Sequence, residues 1–465
     1  MIITNAMKTP YSHAEQYIAQ LKGIEQKINQ NQLQEAVQQL NQLGKTSQND
    51  PRLFLLASRL SEASGNPEGM LQAARKAHQL APHWATSTMH LAAVLASRGE
   101  SEEAIAMAAL AVQQAPNDVG LLSRCAELAL RFNLLAQALQ WLRQAESLDP
   151  DNASIRYKIG LTLSTSGDYA GAIDIFTAQL LQLPNNTALL SARMQACLGA
   201  KQIEQAIQDG EALVSLEPDN ESHPFYLAIA RGETPSTQPA SVVTALFDGH
   251  AAQFDRHWVV QLKYKLPRDV AKMIHQWHAD LKGDVLDLGC GTGLLGACLG
   301  RTEGVLVGVD LSDDMLVQAQ RHNVYDSFHN VNLLDALRDT PEGLYNVITA
   351  LDVLIYVGDL SLVIANAHRI LVPGGRFVFS CEAGAEGEAD YVLPGTYRYT
   401  HQRRYVQRLL DEAGFKDVEI EDRVLRYEAD EPVQGFLVIA RKPIKAAGKT
   451  ARRSPKSAKP APLAQ

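Results

Sequence analysis

The sequence is poor in cysteine and has no long apolar run. Its five thiols are Cys125, Cys197, Cys290, Cys298 and Cys381. They are scattered, with no C-x-x-C pair and no Cys/His cluster at metal-ligand spacing. A disulfide scaffold and a thiolate metal centre are both excluded, and no metal site is expected. A reducing, cytoplasmic setting is the expectation. The opening residues MIITNAMKTPYSHAEQ lack the apolar core of a signal peptide. No run of about 18 apolar residues occurs, so no membrane span is expected. Cationic excess is missing as well. Lys+Arg 43 against Asp+Glu 52 gives a net charge of -9, which argues against a general nucleic-acid binder. Basic residues do gather at the end: Lys445, Lys449, Arg452, Arg453, Lys456 and Lys459 stand in residues 443–465 without one acid. Removing that +6 from -9 leaves -15 for residues 1–442. The tail is low in complexity and is expected to be disordered.

What is present is an ordinary globular composition, 46% hydrophobic and 20% charged. At 465 residues the chain is expected to hold two or three domains. Pro82, Pro116, Pro150, Pro184 and Pro218 recur every 34 residues. Seventeen residues before each proline stands a turn position: Gly65, Gly99, Asn133, Gly167 and Lys201. Five further on stand Met70, Ala104, Ala138, Ala172 and Ala206. Apolar residues between these markers follow helical spacing, as in Ile155, Ile159 and Leu163. Each unit reads as two antiparallel helices. The small residue allows close approach, the turn residue reverses the chain, and proline ends the second helix.

This pattern resembles the tetratricopeptide repeat, whose period is 34. A sixth, degenerate unit is expected over residues 14–50, with Ala36 at its small position. Such an array implies a concave surface for an unidentified protein or peptide, with homodimerisation as the competing role. Basic residues are not expected to recur at one repeat position, so no clamp for an acidic tail is anticipated. The stretch Gly232-Glu233-Thr234-Pro235-Ser236-Thr237-Gln238-Pro239 reads as a linker. The expected organisation is an N-terminal segment 1–13, a helical repeat domain 14–230, a linker 231–240, a second domain 241–442 and the tail 443–465.

The second domain reads as α/β. Strand Val285-Leu286-Asp287-Leu288 runs into Gly289-Cys290-Gly291-Thr292-Gly293, then a helix, then strand Val305–Val309 ending in Asp310. This is a Rossmann-type half-fold. The glycines let backbone pass close beneath a ligand, and Asp310 can accept ribose hydroxyls. Gly291–Gly296 also satisfies the dinucleotide pattern G-x-G-x-x-G. Asp287 argues against a dinucleotide oxidoreductase, because it would repel a pyrophosphate and attract the sulfonium and ammonium of S-adenosylmethionine. Asp352 ends a further strand, Asn346–Leu351. Two late strands, about Val418–Leu425 and Gly435–Arg441, read as an antiparallel pair.

D-L-G-C-G-T-G, V-D-L-S and L-V-P-G-G in this order resemble the class I S-adenosylmethionine-dependent methyltransferases over about residues 241–442. The segments Ala245–Asp255, Asp352–Leu360, Phe379–Glu382 and Arg398–His401 further resemble predicted methyltransferases that carry tetratricopeptide repeats. The implied architecture is multidomain: an all-α solenoid, then a Rossmann-like domain with a seven-stranded, mostly parallel sheet and an antiparallel last pair. Two departures stand out: Val331-Asn332-Leu333 where the family has G-D-L, and Tyr397 where it has glycine.

The implied cofactor is S-adenosylmethionine. Its implied ligands are Asp287, Gly289, Gly291, Gly293, Asp310, Leu311, Asn332, Leu333, Asp352 and Tyr264. Asn332 is assigned the adenine amino group through its side-chain oxygen. Leu311, Phe247 and Phe254 also read as core side chains, and Asp310 also reads as a helix cap. The entry segment Phe247–Tyr264 is expected to close over the cofactor. Candidate acid–base groups are Tyr356, Glu382, Tyr399 and His401. His401 is expected to open a helix, whose positive end would favour the neutral ring. Arg398 reads as a substrate-anion ligand or a partner of Glu382. The implied activity is methyl transfer to an O or N nucleophile. The rival is a cofactor-binding scaffold with a silent methyltransferase fold, its partner held by the repeats.

Overall fold

The computed structural model describes residues 15–247, 254, 258, 262–278, 282–428 and 430–444. The expected segment 1–13 and tail residues 445–465 lie outside the described residues, as does most of the entry segment. The chain divides into two compact units, Met1–Leu216 and Glu217–Gln465.

Among its described residues the first unit is six helix pairs: α1 (Glu15–Asn29) with α2 (Leu33–Gly44), α3 (Pro51–Ala63) with α4 (Pro67–Leu80), α5 (Ala85–Ser97) with α6 (Ser101–Gln114), α7 (Val119–Arg131) with α8 (Leu135–Leu148), α9 (Ala153–Thr165) with α10 (Tyr169–Leu180), and α11 (Thr187–Gly199) with α12 (Ile203–Leu216). The turn positions all take left-handed backbone: Gly65, Gly99, Asn133, Gly167 and Lys201 have φ between +56° and +86°. Asn31 does so in the first pair, at +58°. A left-handed residue is what reverses a chain between helices within a few positions. Ala36, Ala104, Ala138, Ala172 and Ala206 are fully buried, so the paired helices touch through a methyl group. Asp50, Asn66, Asp118, Asn152, Asp168 and Asn186 cap helix N-termini through side-chain oxygens.

One register position of the 34-residue repeat holds Lys22, Leu56, His90, Arg124, Lys158 and Ala192, so basic residues appear there without recurring in every unit. The proline and alanine markers lie on the turns and second helices, so they did not display it. The column is still not a continuous positive strip. Lys158 pairs with Glu127, and burial pushes the His90 imidazole down to about 4, keeping it neutral. Arg124 is exposed.

The second unit opens with α13 (Ser222–Ala230) and α14 (Ala240–Phe247), so α13 groups with it. Its sheet contains β1 (Val285–Leu288), β2 (Leu306–Asp310), β3 (Ser327–Asn330), β4 (Tyr345–Ala350), β5 (Leu371–Ala383), β6 (Tyr391–Val392), β7 (Thr400–His401), β8 (Lys416–Glu428) and β9 (Glu431–Arg441). The long strands run in the order β3-β2-β1-β4-β5-β9-β8. The first five are mutually parallel; β9 is antiparallel to both β5 and β8. These are the seven expected strands. A short β6–β7 ribbon is added where β7 pairs with β5 beyond the end of β4. Pro373-Gly374-Gly375 lies within β5, where the register against β4 shifts; Gly374 takes φ +87° there.

Alternation along the strands splits the core between two faces. Leu286, Leu288, Val307, Ile348 and Phe377 pack on one side with α18 (Leu333–Asp339), α19 (Ser361–Ile370) and α20 (Arg403–Ala413). Val285, Leu306, Val347 and Val378 pack on the other with α15 (Leu266–Trp277) and α16 (Leu294–Leu299). Helix α17 (Asp313–Gln320) follows β2. Parallel strands covered on both faces are the usual frame for a ligand crevice at their C-terminal ends. Among the described residues, no helix is long and apolar enough to cross a membrane.

Candidate active site

The glycine loop leaves β1 in left-handed backbone, with φ of +64° at Gly289, +54° at Gly291 and +81° at Gly293. Each glycine answers a different demand. A Cβ on Gly289 would lie 2.3 Å from the Val353 side chain. One on Gly293 would press Ala319 and Tyr325 at 3.1 Å. One on Gly291 would meet nothing within 4 Å, so this backbone faces open space. That space belongs to a pocket, open to solvent, at the C-terminal ends of β1, β2 and β4.

Asp310 closes the loop from the end of β2. Its Oδ2 accepts the Gly291 N–H at 2.8 Å and its Oδ1 the Ser312 N–H at 3.0 Å. Burial pushes its pKa up, while these N–H groups pull it back down. The carboxylate is thus fixed at the pocket wall with lone pairs to spare. Ser312, not Asp310, caps α17. Asp287 lies beneath the loop. Tyr325 donates to its Oδ2 at 2.7 Å and Thr349 to its Oδ1 at 2.8 Å. Burial raises its pKa to about 6, against these two hydrogen bonds. Sequence reasoning missed both hydroxyls. Gly296 was the available signal: its Cβ would sit 2.2 Å from the Tyr325 ring, and its N–H donates to the Tyr325 hydroxyl at 3.2 Å.

The pocket brings together Tyr264, Asp287, Gly289, Gly291, Asp310, Leu311, Asn332, Leu333 and Asp352 from the expected cofactor set. Gly293 lies at the start of α16 and is not in the lining. Two of these residues have partners within the fold. Asn332 caps α18, its Oδ1 accepting the Leu334 N–H at 2.8 Å, which leaves that oxygen one further lone pair. Asp352 does not face a cationic ligand alone. It takes φ +56°, and both its oxygens are held by Arg426 Nη1, at 2.6 and 2.8 Å.

Of the expected acid–base groups, Tyr356 alone lines the pocket. Glu382 is paired with Arg426 and, at 2.9 Å, with Arg398. Arg398 also binds Glu428 at 2.9 Å, so it is a structural partner and not a free anion ligand. Tyr399 is fully buried and donates to Pro235 O at 2.7 Å. His401 lies in β7 and does not open α20; Gln402 holds the N-cap position. His401 Nε2 donates to Val357 O and Gly358 O at 2.9 and 3.1 Å. Burial lowers its pKa to about 4. The ring is neutral as expected, through burial and not through a helix end.

The cradle fits the implied cofactor. Open space above Gly291, a fixed carboxylate at Asp310 and an acid beneath the loop suit an adenosyl group bearing a positive charge.

Residues 286–377 match a family model described as a methyltransferase domain. Over 133 residues the chain is 31% identical to a ubiquinone biosynthesis O-methyltransferase from Pseudomonas syringae pv. tomato, covering 27% of this chain and 57% of that one. The chain spans a little over half the length of the first curated relatives it matches. A magnesium protoporphyrin IX methyltransferase from Synechocystis aligns at 20% identity and a TM-score of 0.35, covering 44% of this chain and 99% of its own. A tetratricopeptide-repeat protein with an unusual peptide-binding site aligns at 18% and 0.36, covering 42% and 97%. Residues 286–377 thus resemble a methyltransferase domain, and they lie within a parallel sheet with an antiparallel end and a glycine loop after its first strand.

Proposed function

We propose that the second unit binds S-adenosylmethionine and transfers its methyl group to an O or N nucleophile. The carrying observation is Asp310, fixed by two backbone N–H groups beside the open space above Gly291. Asp310 holds the ribose hydroxyls, and Gly289 and Gly291 let the methionine portion pass. Asp287 faces the ammonium. Leu311 and Leu333 pack on the adenine.

When bound, the cofactor supplies an electrophilic methyl on sulfonium sulfur. The chain then aligns the acceptor and keeps water away. Tyr356 stays protonated, because burial pushes its pKa well up. It therefore orients an acceptor by donating a hydrogen bond and does not remove a proton.

Calorimetry with S-adenosylmethionine tests this reading. Wild-type protein should bind one equivalent. Asp310→Ala should bind at least about 10-fold more weakly, since it loses hydrogen bonds to a charged group. Absence of binding to wild type would end the proposal.

The scaffold reading draws on one observation: Asp352, Glu382, Tyr399 and His401 are all engaged within the fold. Release of S-adenosylhomocysteine with added acceptors separates a turning enzyme from that scaffold.

The repeat array, in this proposal, recruits a protein or peptide. Its stacked first helices and the exposed Arg124 support that role. A chain starting at Glu217 should keep activity on a small acceptor and lose activity on a recruited protein.

A further inference from the structure

The segment whose composition reads as a linker forms part of the pocket wall. Ser236 O accepts the N–H groups of Gly358 and Asp359, each at 2.9 Å. Gln238 N–H donates to Tyr356 O at 3.1 Å, and Thr237 makes an antiparallel bridge to Val357. The Tyr399 hydroxyl adds the bond to Pro235 O. Pro235–Gln238 is therefore a strap laid along Tyr356–Asp359, from the last residue of the turn Leu354–Tyr356 onward, and Thr237 and Gln238 line the pocket.

Gln238 is 3% exposed. Its Nε2 donates to Tyr397 O. A carbonyl only accepts, so this contact fixes which end of the amide is nitrogen. The other end, Oε1, is buried, and no donor among the described residues reaches it. Buried amide oxygens are nearly always satisfied. An orphan on a pocket-lining side chain marks the place where a ligand's donor completes the set.

The surroundings define that ligand. Phe247 meets Tyr356 at 5.8 Å between ring centroids and Phe254 at 6.2 Å; Phe254 stacks on Trp258 at 4.9 Å. This wall suits a flat apolar body. Asp352 and Glu382, the carboxylates at this side, are held by Arg426. No unpaired charge among them calls for a charged acceptor.

We propose, building on the methyl-transfer reading, that Gln238 Oε1 accepts a hydrogen bond from the methyl acceptor, a neutral aromatic alcohol packed against Phe247, Phe254 and Tyr356. Gln238 positions the acceptor and takes no proton. The bond from acceptor oxygen to methyl carbon forms as the carbon–sulfur bond breaks. The electron pair stays on sulfur, and the acceptor's proton passes to water.

The test compares catechol with 1,2-dimethoxybenzene, which has the same ring and no donor. Full-length protein saturated with S-adenosylhomocysteine is titrated with each, followed by ligand-observed NMR. Wild type should prefer catechol by about 5- to 10-fold, the worth of one neutral hydrogen bond. Gln238→Met is nearly isosteric and keeps the strap's backbone bonds. It should bring the two affinities within about twofold of each other, with S-adenosylhomocysteine affinity unchanged. Tyr399→Phe removes a strap anchor but no pocket atom, and should keep the preference. No catechol binding, equal binding of both probes to wild type, a preference that survives in Gln238→Met, or one lost equally in Tyr399→Phe overturns the proposal. Failure of wild type to bind S-adenosylhomocysteine overturns the methyl-transfer reading beneath it.

Discussion

Arg426 and Asp352 stand 74 residues apart in sequence, yet Arg426 Nη1 contacts both Asp352 oxygens, at 2.6 and 2.8 Å. The same guanidinium reaches Glu382 and, at 2.9 Å, Glu428. Arg426 is 1% exposed. One cation thus ties β8 to the ends of β4 and β5 at the rear of the pocket. Removing it takes the cation from buried Asp352 and leaves Glu382 with Arg398 alone. Arg426→Met should cost about 3–5 kcal/mol of stability. Adding Asp352→Asn and Glu382→Gln should recover much of that loss. Thermal melting of the three proteins checks this; an unshifted Arg426→Met transition would show the cluster to be ornamental.

The glycines of the loop should separate under mutation. Gly289→Ala drives a methyl group into Val353, so it should lower stability by about 1–3 kcal/mol. Gly291→Ala meets no protein atom, and its cost to folding is the left-handed backbone, about 1–2 kcal/mol. Its methyl group enters the ligand's space, so cofactor affinity should fall by about 10-fold or more. Melting curves and calorimetry on both variants give the comparison; equal loss of affinity in the two would contradict it.

Asp287 should impose a pH dependence. Its pKa is about 6 in the fold and near 3.9 in an unfolded chain. The fold therefore favours the protonated form. This contribution is fully present below about pH 4 and is lost as pH rises through about 6, on the order of 3 kcal/mol. Cofactor affinity should run the other way, rising through about pH 6 as the carboxylate ionises beside a cation. Asp287→Asn should flatten this component of both profiles. Denaturation and binding measured from pH 4.5 to 8 would expose the opposite slopes, and parallel slopes would refute the assignment.

His401 should take no part in acid–base chemistry. Its pKa falls to about 4, and both its near acceptors are backbone carbonyls. A group held neutral in this way stabilises the fold above its unfolded pKa near 6.5, and that stability is lost as pH falls through about 4. The ring's nitrogen chemical shifts should stay constant from pH 5.5 to 8. A titration midpoint near 6.5 in the folded protein would reverse this conclusion.

The repeat was legible because close helix pairing imposes local rules. Gly99 and Ala104 mark the turn and the contact within one stretch of chain, and the next copy repeats them. The glycine loop was legible for the same reason, since Asp287, Gly289 and Gly291 act within five residues. Asp310 was found because its strand follows in order. The acid–base candidates have partners that lie far off in sequence. Nothing near Glu382 announces Arg426 or Arg398. Nothing near Tyr399 announces Pro235. Asn332 has a second, local role: an asparagine before an apolar helix is also a cap, and its oxygen accepts the Leu334 N–H. The strap failed because composition reports how easily a segment bends, not which carbonyls it will meet.

The strap also decides where this chain can be cut. Its stretch of proline, glycine and serine is where recombination or protein engineering would ordinarily break a two-part molecule. A catalytic fragment begun at residue 241 would lose Ser236 and Gln238, and with them one side of its own binding cavity. A fragment begun at Glu217 keeps them. Swapping the array of one such protein onto the domain of another at Leu216 would therefore keep the strap with its own pocket, whereas a junction at 231–240 would exchange pocket-lining residues along with the repeats.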